Sequence, residues 1–262
     1  MIEFKKYKRF FAFGCSMTDY WWPTWADIIG KEFSEYYNFG RSGAGNTFIA
    51  LQIAEAHQRY KFTEDDLVIV MWTSTTREDR YVKRYWHTPG NIYTQDYYDT
   101  DYIRKYSDVR GYLIRDLGLI RLTLGMLKSI SCDFYMLNMS PFVKSPSHYG
   151  DYNVDNPTEG LDDVVAIYQS IIDYISPDLL SVSCNGKWPQ VPIAHSKTQK
   201  TDYHPTPATH LDYVQRVFPQ IELSKNTIDW IEYCEMNVRN SKRITDIDST
   251  TWKLTRMNQE IL

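Results

Sequence analysis

The run Arg9-Phe10-Phe11-Ala12-Phe13-Gly14-Cys15-Ser16 breaks an apolar segment on a small residue and then a hydroxyl. Its apolar part reads as a buried strand, and Gly14 permits a sharp turn at the strand's end. A serine just past such a strand projects into the opening above the carboxyl ends of a parallel sheet, where α/β proteins hold ligands. Its hydroxyl is a weak nucleophile alone and needs a base within hydrogen-bond reach. The competing role for Ser16 is to cap the helix that follows.

Downstream, apolar and amphipathic segments alternate. The spacing of Trp25, Ile28, Ile29 and Phe33 predicts a helix from Tyr20 to Phe33. Tyr36 to Phe39 reads as a short strand closed by the turn Gly40 to Gly45, and Thr47 to Tyr60 as a helix. Leu67 to Trp72 is continuously apolar, as a central parallel strand is. A helix over 109–130, a strand over Phe134 to Leu137 and a helix from Leu161 to Ile175 follow, the last ended by Pro177. Pro207 opens a late helix that reaches Val217. Such alternation predicts a parallel sheet covered on both faces. We expect one domain over 1–221, with a tyrosine-rich insertion around 80–108 of little regular periodicity. Residues 222–262 are expected to form an accessory helix and a polar extension.

A second polar cluster, Asp202-Tyr203-His204-Pro205, lies far from Ser16 in sequence. His204 is a candidate base, and in an extended backbone Asp202 points to the same side and can orient it. His210 is a weaker candidate, because its helical position also suits packing. Gly43 is a candidate oxyanion donor through its backbone N–H, or an ordinary loop glycine. The Ser74 hydroxyl and the Ser16 N–H are further candidate donors. Asn46 can donate or cap a helix. Arg41 and Arg77 can bind an anionic substituent or pair with nearby acids. The tyrosines of the insertion either stack on sugars or pack a long loop.

Composition narrows the classes. The 262 residues are 43% hydrophobic and 24% charged, which supports a core and excludes general disorder. A net charge of −4 with no basic stripe argues against a nucleic-acid partner. No apolar span suits a membrane helix, and the first residues lack the pattern of a secretory signal. Cys15, Cys132, Cys184 and Cys234 are dispersed, so we expect neither a disulfide framework nor a metal site, and no cofactor. A cytoplasmic location fits this pattern; packaging in a virion, or export without a classical signal, is the alternative.

The four blocks together resemble the SGNH/GDSL hydrolase family. Gly14-Cys15-Ser16 is similar to its Gly-Asp-Ser block, and Asn38 to Gly43 to its glycine block. Trp72-Thr73-Ser74-Thr75 is similar to the block that commonly reads Gly-x-Asn-Asp, and Asp202 to Pro205 to the terminal Asp/His block. The resemblance spans most of 9–215, in short motifs. It implies a three-layer α/β/α sandwich of flavodoxin-like type with a central, mainly parallel sheet. It also implies Ser16 as nucleophile, His204 as base, Asp202 as its orienting acid, and Gly43 and Ser74 at the oxyanion. Three positions depart from the pattern. Cys15 replaces an acid, Ser74 replaces an asparagine with a shorter donor, and Asp202 stands two rather than three residues before His204. The implied function is hydrolysis of an ester, such as an O-acetyl or related acyl group on a carbohydrate, the partner being an acylated small molecule or glycan. The alternatives are an O-acyltransferase, or a non-catalytic carbohydrate-binding or virion-associated protein on the same scaffold.

Overall fold

The computed structural model describes residues 6–93, 97–143 and 160–248. The chain runs β1 (Arg9–Gly14), α1 (Trp25–Gly30), β2 (Glu35–Gly40), α2 (Asn46–Tyr60), β3 (Asp66–Trp72), β4 (Arg80–Val82), β5 (Tyr85–His87) and α3 (Thr100–Tyr106). It continues through α4 (Val109–Ser129), β6 (Asp133–Asn138), α5 (Asp162–Ile167), α6 (Gln169–Ile172), α7 (Leu179–Ser183), α8 (Pro207–Val217) and α9 (Lys225–Asn240). Strands β2, β1, β3 and β6 pair in that order, every pairing parallel. Helices on both faces complete an α/β/α sandwich, the expected architecture.

Side-chain alternation along β1 shows how the sequence builds both layers. Phe10 faces one side, against Trp25 of α1 and stacked on Tyr36 with ring centroids 5.3 Å apart. Phe11 and Phe13 face the other side, against Phe62 and the registered partners Tyr37 and Phe39. Each fully buried ring contributes about 1.5–3 kcal/mol over an exposed one. On one side α2 packs on α4; on the other α1 packs on α8, which packs on α9.

Several boundaries differ from expectation. Helix α1 starts at Trp25, not Tyr20, because Thr24 sits in an extended N-cap conformation directly after Pro23, and Thr24 N–H donates to Asp27 at 3.0 Å. Tyr20, Trp21 and Trp22 therefore stay in the loop that follows Ser16. The helix expected over Leu161 to Ile175 is two short pieces, broken at Tyr168, whose N–H is shared between the carbonyls of Val164 and Val165. Helix α7 was not foreseen. The insertion is more regular than its sequence suggests: β4 and β5 form a hairpin whose turn residues Lys83 and Arg84 both take positive φ, at 51° and 69°. Asp99 then caps α3 by accepting from Tyr102 N–H at 2.7 Å. The polar extension, from 249 onward, lies outside the described residues, as do 94–96 of the insertion. Among the described residues no helix is long and apolar enough to cross a membrane.

Candidate active site

Because the strands are parallel, the loops leaving β1, β2 and β3 crowd one edge of the sheet. The turn after β1 is closed by Thr18 N–H and Asp19 N–H, both donating to the Cys15 carbonyl at 2.9 and 3.2 Å. Arg41 N–H, leaving β2, donates to the Gly14 carbonyl at 3.1 Å, and a Cβ on Gly14 would overlap the Thr18 hydroxyl. Ser16 thus sits in a turn held from its neighbours. It caps no helix; the next one is capped at Thr24.

The late cluster reaches this turn from 188 residues away. His204 Nε2 lies 2.9 Å from Ser16 Oγ, and His204 Nδ1 lies 3.0 Å from Asp202 Oδ1. The loop carrying both is pinned by paired backbone bonds between Val191 and Asp202, each 2.8 Å, and by Trp22 Nε1 donating to the Pro205 carbonyl at 2.7 Å. Asp202 also accepts from His204 N–H at 2.7 Å, on the same oxygen as the ring. This local ring is how a two-residue spacing still presents the carboxylate to the imidazole. Tyr203, between them, points to solvent.

Asp202 is 1% exposed. Burial pushes its pKa up, but the His204 ring bond and charge, the Tyr20 hydroxyl and the His204 N–H outweigh it and lower the pKa to about 2. The ionised carboxylate only accepts, so His204 Nδ1 carries a proton, and in the tautomer with that single proton Nε2 presents its lone pair to Ser16. Ser16 Oγ–H then donates to His204, the polarity a general base requires.

No protein-family model and no curated protein matches the chain. Solved structures that align with the chain include a GDSL-like lipase from Bacteroides thetaiotaomicron, at 14% identity and a TM-score of 0.43 over 82% of this chain and 88% of that one. A lipolytic protein of the G-D-S-L family from Veillonella parvula aligns at 14% identity and a TM-score of 0.41, over 82% of this chain and 100% of that one. A catalytic variant of an acetylxylan esterase from Geobacillus stearothermophilus aligns at 15% identity and a TM-score of 0.43, over 82% and 95%.

The other candidate residues divide. Gly43 follows β2 with φ +72°, and a Cβ there would overlap the Thr88 carbonyl oxygen, so both backbone and space require glycine. Ser74 follows β3, buried, with Oγ 3.1 Å from Thr76 Oγ1. Asn46 corrects both of its expected roles. Its amide hydrogens go to the Thr73 carbonyl at 3.0 Å and to Asp116 at 2.8 Å, and its oxygen accepts from Thr73 N–H at 2.9 Å. It has no hydrogen left for a substrate. Nor does it cap α2: the Asp79 carboxylate accepts from the N–H of Gly45, the residue before the helix, at 2.8 Å and from Phe48 N–H in its first turn at 2.9 Å.

Arg41 and Arg77 bond carbonyls rather than acids. Arg41 reaches the Trp86 carbonyl at 2.6 Å, and Arg77 the Ala44 carbonyl at 2.7 Å. Both brace the loop that carries Gly43. His210 is 1% exposed on α8; burial, then the charge of His204, lowers its pKa to about 3, so it stays neutral. A ring so buried offers no open face for a substrate, which corrects its candidacy.

Sequence reading missed two groups, Tyr20 and His195. The Tyr20 hydroxyl and His195 Nε2 both bond Asp202 Oδ2. The Tyr20 ring also stacks on His204, centroids 3.7 Å apart and planes 18° apart. Tyr20 was hidden inside a predicted helix. His195 stands in a polar stretch without periodicity, where no pattern marks a donor to a carboxylate.

Proposed function

We propose that the protein is a serine-dependent carboxylic-ester hydrolase of SGNH/GDSL type. The observation that carries this reading is the 2.9 Å contact between Ser16 Oγ and His204 Nε2, with a buried, ionised Asp202 on the ring's other nitrogen. Ser16 Oγ attacks the ester carbonyl while its proton passes to His204 Nε2. Asp202 stabilises the imidazolium that forms. The backbone N–H groups of Ser16 and Gly43 and the Ser74 hydroxyl donate to the oxyanion, each such donor contributing about 2.7–4 kcal/mol. His204 returns the proton to the leaving alcohol. Water, deprotonated by His204, then attacks the acyl-enzyme carbonyl, and as the acid leaves His204 returns that proton to Ser16 Oγ.

An O-acetyl or related short acyl group on a carbohydrate is the substrate class we favour. The support is the insertion: it touches the Gly43 loop through Thr88, whose hydroxyl donates to the Ser42 carbonyl at 2.8 Å, and through Trp86. From there Tyr81, Tyr85 and Tyr97 expose their rings. Rings with an apolar face and a polar edge suit the faces of sugars. The test is turnover of a panel of acetylated oligosaccharides and simple aryl esters, with products identified. Free acid released by the wild type and not by folded Ser16→Ala supports hydrolysis. Acyl transfer to an added sugar would replace it with a transferase, and no turnover across the panel would reject the substrate class.

A further inference from the structure

Asp202 receives two donors on each oxygen, yet only those on Oδ1 come from its motif. The Oδ1 bonds both come from His204, so they tie acid and base to each other, while the backbone pins on their loop leave the carboxylate torsion and the tilt of the imidazole ring unfixed. A carboxylate turns about a soft terminal torsion. Two further residues hold the Oδ2 edge and the ring face.

Tyr20 belongs to the loop of the nucleophile, four residues beyond Ser16. Its hydroxyl bonds Asp202 Oδ2 while its ring covers the face of His204. One side chain therefore links the Ser16 turn to both members of the acid–base pair. His195 approaches Oδ2 from the C-terminal side. Its neighbour Ala194 donates N–H to the Lys242 carbonyl at 2.8 Å and accepts from Ile244 N–H at 3.0 Å, so the ring is carried on backbone that the segment after α9 holds. Since ionised Asp202 only accepts, His195 presents Nε2–H and Tyr20 its O–H.

We propose that Tyr20 and His195 are positioning residues for the Ser16–His204 proton transfer, fixing the Oδ2 edge of Asp202 and, through Tyr20, the plane of the His204 ring. The proposal rests on the hydrolase reading. It is tested by the second-order rate at which an alkyl fluorophosphonate labels Ser16, a measure that needs no knowledge of the natural substrate.

Removing one bond to a buried charge slows labelling about tenfold in Tyr20→Phe, which keeps the ring, and in His195→Leu. His195→Gln, whose side-chain N–H can take the place of Nε2–H, recovers most of the rate lost in His195→Leu. In an Asp202→Ala background the Tyr20→Phe and His195→Leu changes slow labelling less than twofold further, because the group they act through is gone. A general loss of packing would show neither the rescue nor this non-additivity. Wild-type labelling with every folded variant within twofold of it overturns the inference alone. Full additivity in the Asp202→Ala background, or no rescue by glutamine, overturns it too. Wild-type protein that does not label overturns the hydrolase reading and the inference with it.

Discussion

Asp202 is the residue on which the candidate site turns, since its charge sets the tautomer of His204 and hence the direction of the Ser16 hydrogen bond. Its pKa is lowered in the fold to about 2, against an unfolded carboxylate near about 4. A lowered acid stabilises the fold above its unfolded value and loses that contribution as pH falls through its folded one. The stability gap between wild type and Asp202→Asn should therefore be full above about pH 4 and close towards about pH 2; urea unfolding at pH 6 and pH 3 measures it. A gap that widens on acidification would contradict the assignment of charge. At this scale the sequence marked Ser16 as a candidate because it follows the break of an apolar strand at a small residue, and Asp202 and His204 because an acid and an imidazole stand two residues apart beside a proline. It hid Tyr20 and His195, which act by donating to a buried oxygen and need no particular spacing.

At the scale of elements, the loops that build the site are held by polar groups with no chemistry of their own. Asn46 joins the first turn of α2, the loop after β3 and Asp116 of α4 through three hydrogen bonds. Asn46→Ala would leave Thr73 N–H, Thr73 C=O and the Asp116 carboxylate short of partners, and should cost about 2–4 kcal/mol of stability by chemical denaturation. A cost under about 0.5 kcal/mol would show that the loop re-satisfies these groups. The core strands were readable because β1 and β3 are continuous apolar runs flanked by turn residues. The start of α1 was misplaced because the apolar spacing runs through Pro23, where capping by Thr24 overrides it. The hairpin of the insertion escaped notice because its turn is Lys83-Arg84, whose positive φ values are ordinarily met by glycine or asparagine.

The molecule as a whole joins its C-terminal segment to the site. Trp22, Val191 and Ile193 from the site loops form one apolar cluster with Cys234, Val238, Ile244 and Ile247. Glu235 of α9 accepts from Ala208 N–H, in the first turn of α8, at 3.0 Å. A chain ending at Leu223 should lose amide-exchange protection over 191–204 before it does over β1 and β3, and should label more slowly at Ser16. Unchanged protection there would make α9 an appendage. No pattern in the sequence assigned this packing, since a helix's apolar face does not say which loop it covers. The central claim, that Ser16 is a nucleophile served by His204, is tested most directly by mass spectrometry after exposure to an alkyl fluorophosphonate. The account predicts one phosphonyl adduct on the peptide bearing Ser16, absent in Ser16→Ala and formed about a thousandfold more slowly in His204→Ala. Folded wild-type protein that carries no adduct, or carries it on another residue, would contradict it.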